Sequence, residues 1–585
     1  MMTILRNEHP RPDRFRQTWL TLNGTWDFAF DHEDAGKARE WYRDFPGQCS
    51  IQVPFAYQSE LSGVECKEHC DVVWYARSAQ IPAEMANLRR LLHFGAVDYV
   101  ADVWLNGQYL GGHEGGYTPF TFDVTDLTRA GETYTLVVRC QDRLDCDQPR
   151  GKQSFRPEPF ECWYTPVTGI WQSVWLEGVG QYYPVDLRLT PRLEDVSLKV
   201  EVQLNELPRN AAIHLTAAYQ GDVVARQEIA VTTDRFVQTQ LFLRHNERLE
   251  GIHMWWPHDP RLYDLTVEIL VDGQVIDHME TYFGMRKVEV MGDKVLLNNH
   301  VLYQRLVLDQ GYWPDGLLTA PSDEALRRDV ELTRQMGYNG ARKHQKFEDP
   351  RYLYWADRLG LLVWGELPSA YWLRDSEKRN MMRDLSEAIR RDYNHPSLIA
   401  WVPLNESWGV PFIQTQKEAQ QLADALYAMV HCLDGTRIVS GNDGWEQAAT
   451  DLLTVHDYTA WPEELSPEYG AEETILHGNP GSGRIISAVG YDHAGKPKLL
   501  TEYGGIAMEK DFGGANWGYN GAVRDEAAFL KRFETITQAF KHMPGFAGYC
   551  YTQLTDVFQE ANGLLDMNRT PKVNLEEIRR INLQK

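Results

Sequence analysis

From about residue 288 the chain alternates short apolar runs with amphipathic stretches, and no other feature limits its fold as strongly. The runs fall at 301–308, 340–344, 361–366, 398–405, 437–441, 452–458, 498–503 and 545–552. Each is too short for a helix and apolar on both faces, as a strand covered by layers on either side must be. Between them the spacing predicts helices. Ser322 caps one over residues 323–336, with acids in its first turn and Gly337 as its stop. Asp349-Pro350 opens the next, whose face carries Leu353, Ala356 and Leu359 before Gly360. Leu422, Leu426, Met429 and Leu433 mark a third, and Phe529, Phe533, Ile536 and Phe540 a fourth. Eight strands with intervening helices predict a (β/α)₈ TIM barrel over residues 288–585.

The preceding residues have the texture of all-β protein. Leu20-Thr21-Leu22-Asn23-Gly24-Thr25-Trp26-Asp27-Phe28 reads as strand, Asn-Gly turn, strand. Asp98–Leu105 reads as another strand, turned at Asn106-Gly107 into Gln108–Gly111. Residues 1–183 therefore predict a two-sheet sandwich of jelly-roll type. Residues 184–287 repeat the pattern, with clean alternation over 197–204 and 266–271, and predict an immunoglobulin-like β-sandwich. Trp255-Trp256-Pro257 in this segment is expected at a core or domain interface.

Composition removes several function classes. Net charge is -24, which argues against nucleic acid and against an anionic membrane surface. No run reaches the roughly 20 apolar residues of a membrane span. The start, Met-Met-Thr-Ile-Leu-Arg-Asn-Glu, lacks the apolar core of a secretory signal, so a cytoplasmic location is expected. The 8 cysteines are scattered and form no disulfide framework. Cys66, His69 and Cys70 lack a second ligand pair, so no metal is expected. The 19 Trp and 28 Tyr suit large cores and also platforms for sugar faces.

The polar residues at the C-terminal ends of the predicted strands carry the chemistry, because that end of a barrel holds its active site. Strand two gives Arg342 and His344, strand three Glu366, strand four Asn405 and Glu406. Strand six gives His456, Asp457 and Tyr458, strand seven Glu502 and strand eight Tyr551. Two carboxylates across a barrel mouth, Glu406 and Glu502, suit glycoside hydrolysis: one donates a proton and the other stays ionised. Arg342 and Tyr458 are placed to keep the ionised one charged. Arg342 and Glu366 also read as a structural ion pair.

At this point the chain resembles glycoside hydrolase family 2 over nearly its whole length. The residues that carry the resemblance are 22–28, Val103-Trp104-Leu105-Asn106-Gly107, Gly169-Ile170-Trp171, Phe283-Gly284-Met285-Arg286, Asn394-His395-Pro396-Ser397, Asn405-Glu406-Ser407 and Thr501-Glu502-Tyr503-Gly504. The resemblance implies that Glu406 is the acid/base and Glu502 the nucleophile of a retaining mechanism, with carboxyls about 5–5.5 Å apart. It implies substrate-binding roles for Asn405, Arg342, His344, His456, Tyr458, Tyr551 and Glu366, and for Asp98 and Trp163 in the sandwich. The departures include Leu308-Asp309-Gln310 after strand one and Trp163 where an Asp is usual. Glu560-Ala561-Asn562 stands where glucuronidases carry Asn-x-Lys for the sugar carboxylate, so glucuronides are disfavoured. No cofactor is expected. The expected partner is a carbohydrate, cleaved in exo mode, and self-association into a homo-oligomer stays open. A neutral β-galactoside leads, with β-D-galactofuranosides or α-L-arabinofuranosides as the rival substrates. An inactive carbohydrate-binding protein is the alternative of another class. An ester or amide hydrolase lacks its Gly-x-Ser-x-Gly elbow.

Overall fold

The computed structural model describes residues 4–243, 252–461, 463, 469, 472–478, 483–543 and 545–584. The first layer pair is a four-stranded sheet facing a six-stranded one. Alternation along Gly24–Phe30 turns Trp26 and Phe28 into the core between them, where they meet Ile51, Val73, Tyr75, Leu92 and Val138. Asn106-Gly107 forms the expected two-residue hairpin: Leu105 pairs with Gln108, and both turn residues have positive φ, 48° and 78°.

Asn23-Gly24 behaves differently from the expected hairpin. Trp19–Thr21 joins the four-stranded sheet and Gly24–Phe30 the six-stranded one, so the chain crosses between layers there. The Asn23 amide is fully buried and makes the crossing possible. Its Nδ2 donates to the Arg6 carbonyl and Ser173 Oγ, and its Oδ1 accepts from the Val174 amide.

The second sandwich packs three strands (Pro184–Arg192, Ser197–Leu204, Phe236–Phe242) on four (Ala211–Tyr219, Asp222–Val231, Tyr263–Val271, Gln274–Phe283). Its core is aliphatic, centred on Leu189, Val200, Val202, Ile213, Leu215 and Val267.

The barrel strands are β1 (Gln304–Asp309), β2 (Gly340–Lys343), β3 (Leu362–Glu366), β4 (Leu398–Val402), β5 (Ile438–Val439), β6 (Leu453–Asp457), β7 (Lys498–Gly504) and β8 (Phe546–Thr552). They form one parallel eight-stranded sheet running from β5 through β1 to β8, β7 and β6. Between β5 and β6 a side chain stands in for the ladder. Asp451 donates its amide to the Val439 carbonyl at 2.9 Å and takes the Val439 amide on Oδ2 at 2.8 Å. The helices begin where capping chemistry puts them: Ser322 accepts from the Ala325 amide and Asp349 from the Arg351 amide.

Strand parity sorts the core in two. Leu306, Leu362, Trp364, Ala400 and Leu499 fill the barrel interior. Val307, Val363, Trp401, Leu500, Tyr503 and Tyr551 face the helices. Trp255 and the ribbon around Val288, Val295 and Leu297 join the interior cluster. Trp255 also donates its indole N–H to the Asp357 carbonyl, which makes it the expected interface residue. Among the described residues no helix is long and apolar enough to cross a membrane.

Candidate active site

After β4 the chain enters a turn that ordinary L-residues avoid. Glu406 has φ 53° and Ser407 φ 61°. The loop after β5 holds this turn in place. Glu406 donates its amide to the Asp443 carbonyl, Asp443 donates its amide to the Leu404 carbonyl, and Ser407 donates its amide to Asn442 Oδ1. The result projects the Glu406 carboxyl over the barrel mouth, with its side chain 20% exposed.

Arg342, fully buried at the end of β2, is the hub beneath it. Its Nε donates to Glu366 Oε2 at 2.7 Å, and its Nη1 lies 2.7 Å from Asp443 Oδ2 and 3.1 Å from Glu502 Oε1. Its Nη2 donates to Asn405 Oδ1 at 2.6 Å. That bond orients the Asn405 amide, whose buried Nδ2 has no partner among the described residues. A buried donor left unpaired costs about 1–3 kcal/mol, so the group suits a ligand hydroxyl. Glu502 also accepts from Tyr458, whose hydroxyl lies 2.6 Å from Oε2. Burial first, then the Glu502 charge, pushes the Tyr458 phenol well above its ordinary range, so it stays a donor. The Tyr458 ring stacks on Tyr519.

His456 stands between three carboxylates. Its Nδ1 is 2.7 Å from Glu406 Oε1 and 3.5 Å from Glu502 Oε2, and its Nε2 is 2.9 Å from Asp443 Oδ2. The ring lies over Gly444, at φ 99°, where a Cβ would come within 2.6 Å of Nδ1. Burial works against the imidazolium, but Glu502, Asp443 and Glu406 outweigh it and raise His456 to about 10. Burial likewise opposes charge on Glu406, yet the His456 bond, helped by Lys152 and Arg342, holds that carboxyl below its usual value. Burial keeps the His344 ring neutral, 3.1 Å from Glu366 Oε1. Glu406, His456 and Glu502 offer ligand atoms within 4.8 Å of one another. Hydrogen bonding accounts for this cluster, since a ring nitrogen that donates a proton cannot ligate a cation.

The N-terminal sandwich closes one side. Its segment 150–164 crosses to the barrel: Arg150 and Gly151 donate their amides to the Ser369 carbonyl, and Gln559 reaches the Glu161 and Trp163 carbonyls. Trp163 packs edge-on to Tyr371 and Trp408 and donates its N–H to the Tyr371 hydroxyl. Lys152 is half-buried in this wall, 6.0 Å from the Trp163 ring centre, with no carboxylate within 4.0 Å among the described residues. Its charge reaches Cys162, Glu560 and Glu406.

Three family models match in succession. They are the sugar binding domain of glycosyl hydrolases family 2 over residues 20–176, glycosyl hydrolases family 2 over 183–286, and the TIM barrel domain of that family over 288–584. The chain belongs to glycoside hydrolase family 2. This family 2 chain is 25% identical over 598 residues to a β-glucuronidase of Paenibacillus borealis, covering 95% of this chain and 96% of that one. It is 27% identical over 398 residues to a β-galactosidase of Thermoanaerobacter pseudethanolicus, covering 66% and 52%. The chain spans about half the length of the first curated relatives it matches. Its fold is that of the Ruminococcus gnavus β-glucuronidase, with a TM-score of 0.78 at 19% identity over 99% of this chain and 100% of that one.

Of the residues expected at the family 2 site, the structure brings together Glu406, Glu502, Asn405, Arg342, His344, His456 and Tyr458, with Trp163 on the wall. Two sit elsewhere and a third lies beneath the site. Tyr551 points outward against Phe533, because parity along β8 turns Cys550 and Thr552 inward instead. Thr552 is the β8 residue at the site, within 3.3 Å of the Tyr458 hydroxyl. Glu366 is sealed behind Arg342, with both oxygens taken by Arg342 and the Gln345 amide, so it holds the hub rather than a sugar. Asp98 is buried in the sandwich, where it accepts from Gln153 Nε2 and supports the segment that carries Lys152. Asp443 was missed, although Asn442-Asp443 directly follow the apolar run 437–441. Lys152 left no signal, because a loop residue of a distant domain has neither periodicity nor strand-end position.

Proposed function

We propose that this family 2 chain is a retaining exo-glycosidase, with Glu502 as nucleophile and Glu406 as acid/base. One observation carries the reading: an oxygen of Glu406 and one of Glu502 lie within 4.8 Å of each other at the barrel mouth. Carboxyl groups this close leave no room for a water beneath the anomeric carbon, so the second carboxylate attacks directly. Arg342 and Tyr458 hold Glu502 ionised and aimed, and the unpaired Asn405 amide suits a sugar hydroxyl near the bond that breaks. The Trp163–Tyr371–Trp408 wall supports an exo mode, because it closes one end of the cleft to a continuing glycan. Trp372, Phe412 and Trp461 are exposed on loops after β3, β4 and β6 and suit an aglycone.

A neutral sugar, β-galactoside-like or furanoside, fits the acidic Glu560, which Tyr164, Gln310 and Asn562 hold in place of a cation. A uronide is the second reading, and Lys152 favours it as an ammonium without an ion-pair partner in the wall. A panel of 4-nitrophenyl β-galactoside, β-galactofuranoside, α-L-arabinofuranoside and β-glucuronide decides between them. Preference for a neutral sugar, unchanged in Lys152→Met, supports the first. Preference for the glucuronide, lost in Lys152→Met, overturns it. No cleavage of any aryl glycoside, with tight sugar binding by calorimetry, overturns the enzymatic reading.

A further inference from the structure

Glu406 is charged in this geometry, but the first step of the proposed reaction needs it to carry a proton. Its Oε1 lies 2.7 Å from His456 Nδ1, and its charge is favoured by that bond and by Lys152 and Arg342. The proton nearest to hand is therefore on the imidazole. We propose that His456 is the proton store of the reaction, a positioning residue that supplies Glu406 from behind, with Asp443 holding the ring. This rests on the roles given above to Glu406 and Glu502.

The geometry favours a store over a sugar contact. Both ring nitrogens already meet carboxylates, so neither is free for a hydroxyl. The ring is 1% exposed and fixed between Trp445 and Gly444. Asp443 Oδ2 is shared between Nε2 and Arg342 Nη1, which locks the far nitrogen. The charged and titratable groups that face the pair are Asp443 from the loop after β5, Glu502 on β7, Arg342 and His344 at β2, Tyr458 after β6, Tyr519 stacked on it, and Lys152 and Cys162 from the sandwich.

The step balances. The Nδ1–H bond breaks and an Oε1–H bond forms on Glu406, which then turns its hydroxyl to the glycosidic oxygen. As the C1–O bond breaks, that oxygen takes the proton and Glu502 bonds to C1. The bond to C1 also removes the Glu502 negative charge, one of the three that hold the proton on His456. Release of the proton and attack of the nucleophile are thus coupled through one electrostatic field. In the second step water attacks C1, Glu406 takes its proton, and the proton returns to Nδ1 as the Glu502 carboxylate reforms.

The test measures kcat/KM for 2,4-dinitrophenyl, 4-nitrophenyl and phenyl glycosides of the sugar the wild type cleaves, across pH, in wild type, His456→Gln and Asp443→Asn. In His456→Gln the loss is ~10-fold or less on the dinitrophenyl glycoside and ~100-fold or more on the phenyl glycoside, which needs the proton. The alkaline limb also moves to lower pH, since Glu406 must then hold the proton alone. Asp443→Asn keeps the ring and shows the same pattern more weakly. Equal losses on all three glycosides with an unmoved limb overturn the store and leave the glycosidase reading intact. No cleavage by the wild type overturns that reading instead. Should neither variant fold, the wild-type alkaline limb decides: above about pH 7 supports the store and below it overturns the store, given an ordinary Glu value near 4.3.

Discussion

At the scale of the residue, the site is one cation, Arg342, shared among Glu366, Asp443 and Glu502. Glu502→Ala leaves the other two carboxylates to hold Arg342, so folding survives while turnover is lost. Azide added to this variant restores cleavage of an activated aryl glycoside and gives the product of inverted configuration. Residual wild-type turnover, or a rescued product of retained configuration, contradicts the role. Arg342→Met loses stability as well as turnover, because Arg342 also holds Glu502. It leaves the buried Glu366 without its cation and Asp443 with His456 alone, and breaking a buried pair in this way costs about 3–5 kcal/mol. Urea unfolding reads that loss, and a change below about 1 kcal/mol contradicts the hub.

At the scale of the element, the weak seam of the barrel lies between β5 and β6, where Asp451 replaces a strand ladder. Besides Val439, Asp451 accepts from Tyr427 and lies 3.1 Å from His431 Nε2. Asp451→Ala removes these acceptors and costs about 1–3 kcal/mol at pH 7. Burial opposes the Asp451 charge, but His431 and Tyr427 hold its carboxyl below its ordinary value. A depressed carboxyl stabilises the folded state above its unfolded value and loses that contribution as pH falls through the folded one. The difference between wild type and variant therefore shrinks below pH 3.8, the unfolded value. Urea unfolding across pH checks it, and a difference that keeps growing as pH falls below 3.8 contradicts it, since Asp451 also raises His431 and that contribution is already complete there. The strands themselves were legible because apolar runs and caps are local signals. Which face of β8 meets the site was not legible, because a one-residue shift exchanges Tyr551 for Thr552. Asn23 misled for a similar reason: Asn-Gly marks a hairpin only when both flanking strands join one sheet.

At the scale of the whole molecule, the sandwich is a structural part of the barrel. Tyr117, Tyr164, Val167 and Trp171 belong to the same apolar cluster as the barrel helices. Arg351 donates to the His9 carbonyl, and Arg6 pairs with Asp349 at 2.8 Å. The barrel and first sandwich therefore unfold together in scanning calorimetry, and residues 288–585 alone aggregate. Separate transitions for the two, or a soluble barrel fragment, contradict this. It is also the scale at which the sequence was least informative. Glu406 and Glu502 announced themselves at strand ends, but Lys152 and Trp163 reach the site only through contacts between domains.

The double-displacement reading is tested most directly by trapping. The chain is incubated with a 2-deoxy-2-fluoro glycoside of the sugar it cleaves, bearing a good leaving group, and its peptides are read by mass spectrometry. The expected result is one sugar per chain, on the peptide containing Glu502. A label on Glu406 or elsewhere, or no label together with a product of inverted configuration, contradicts it.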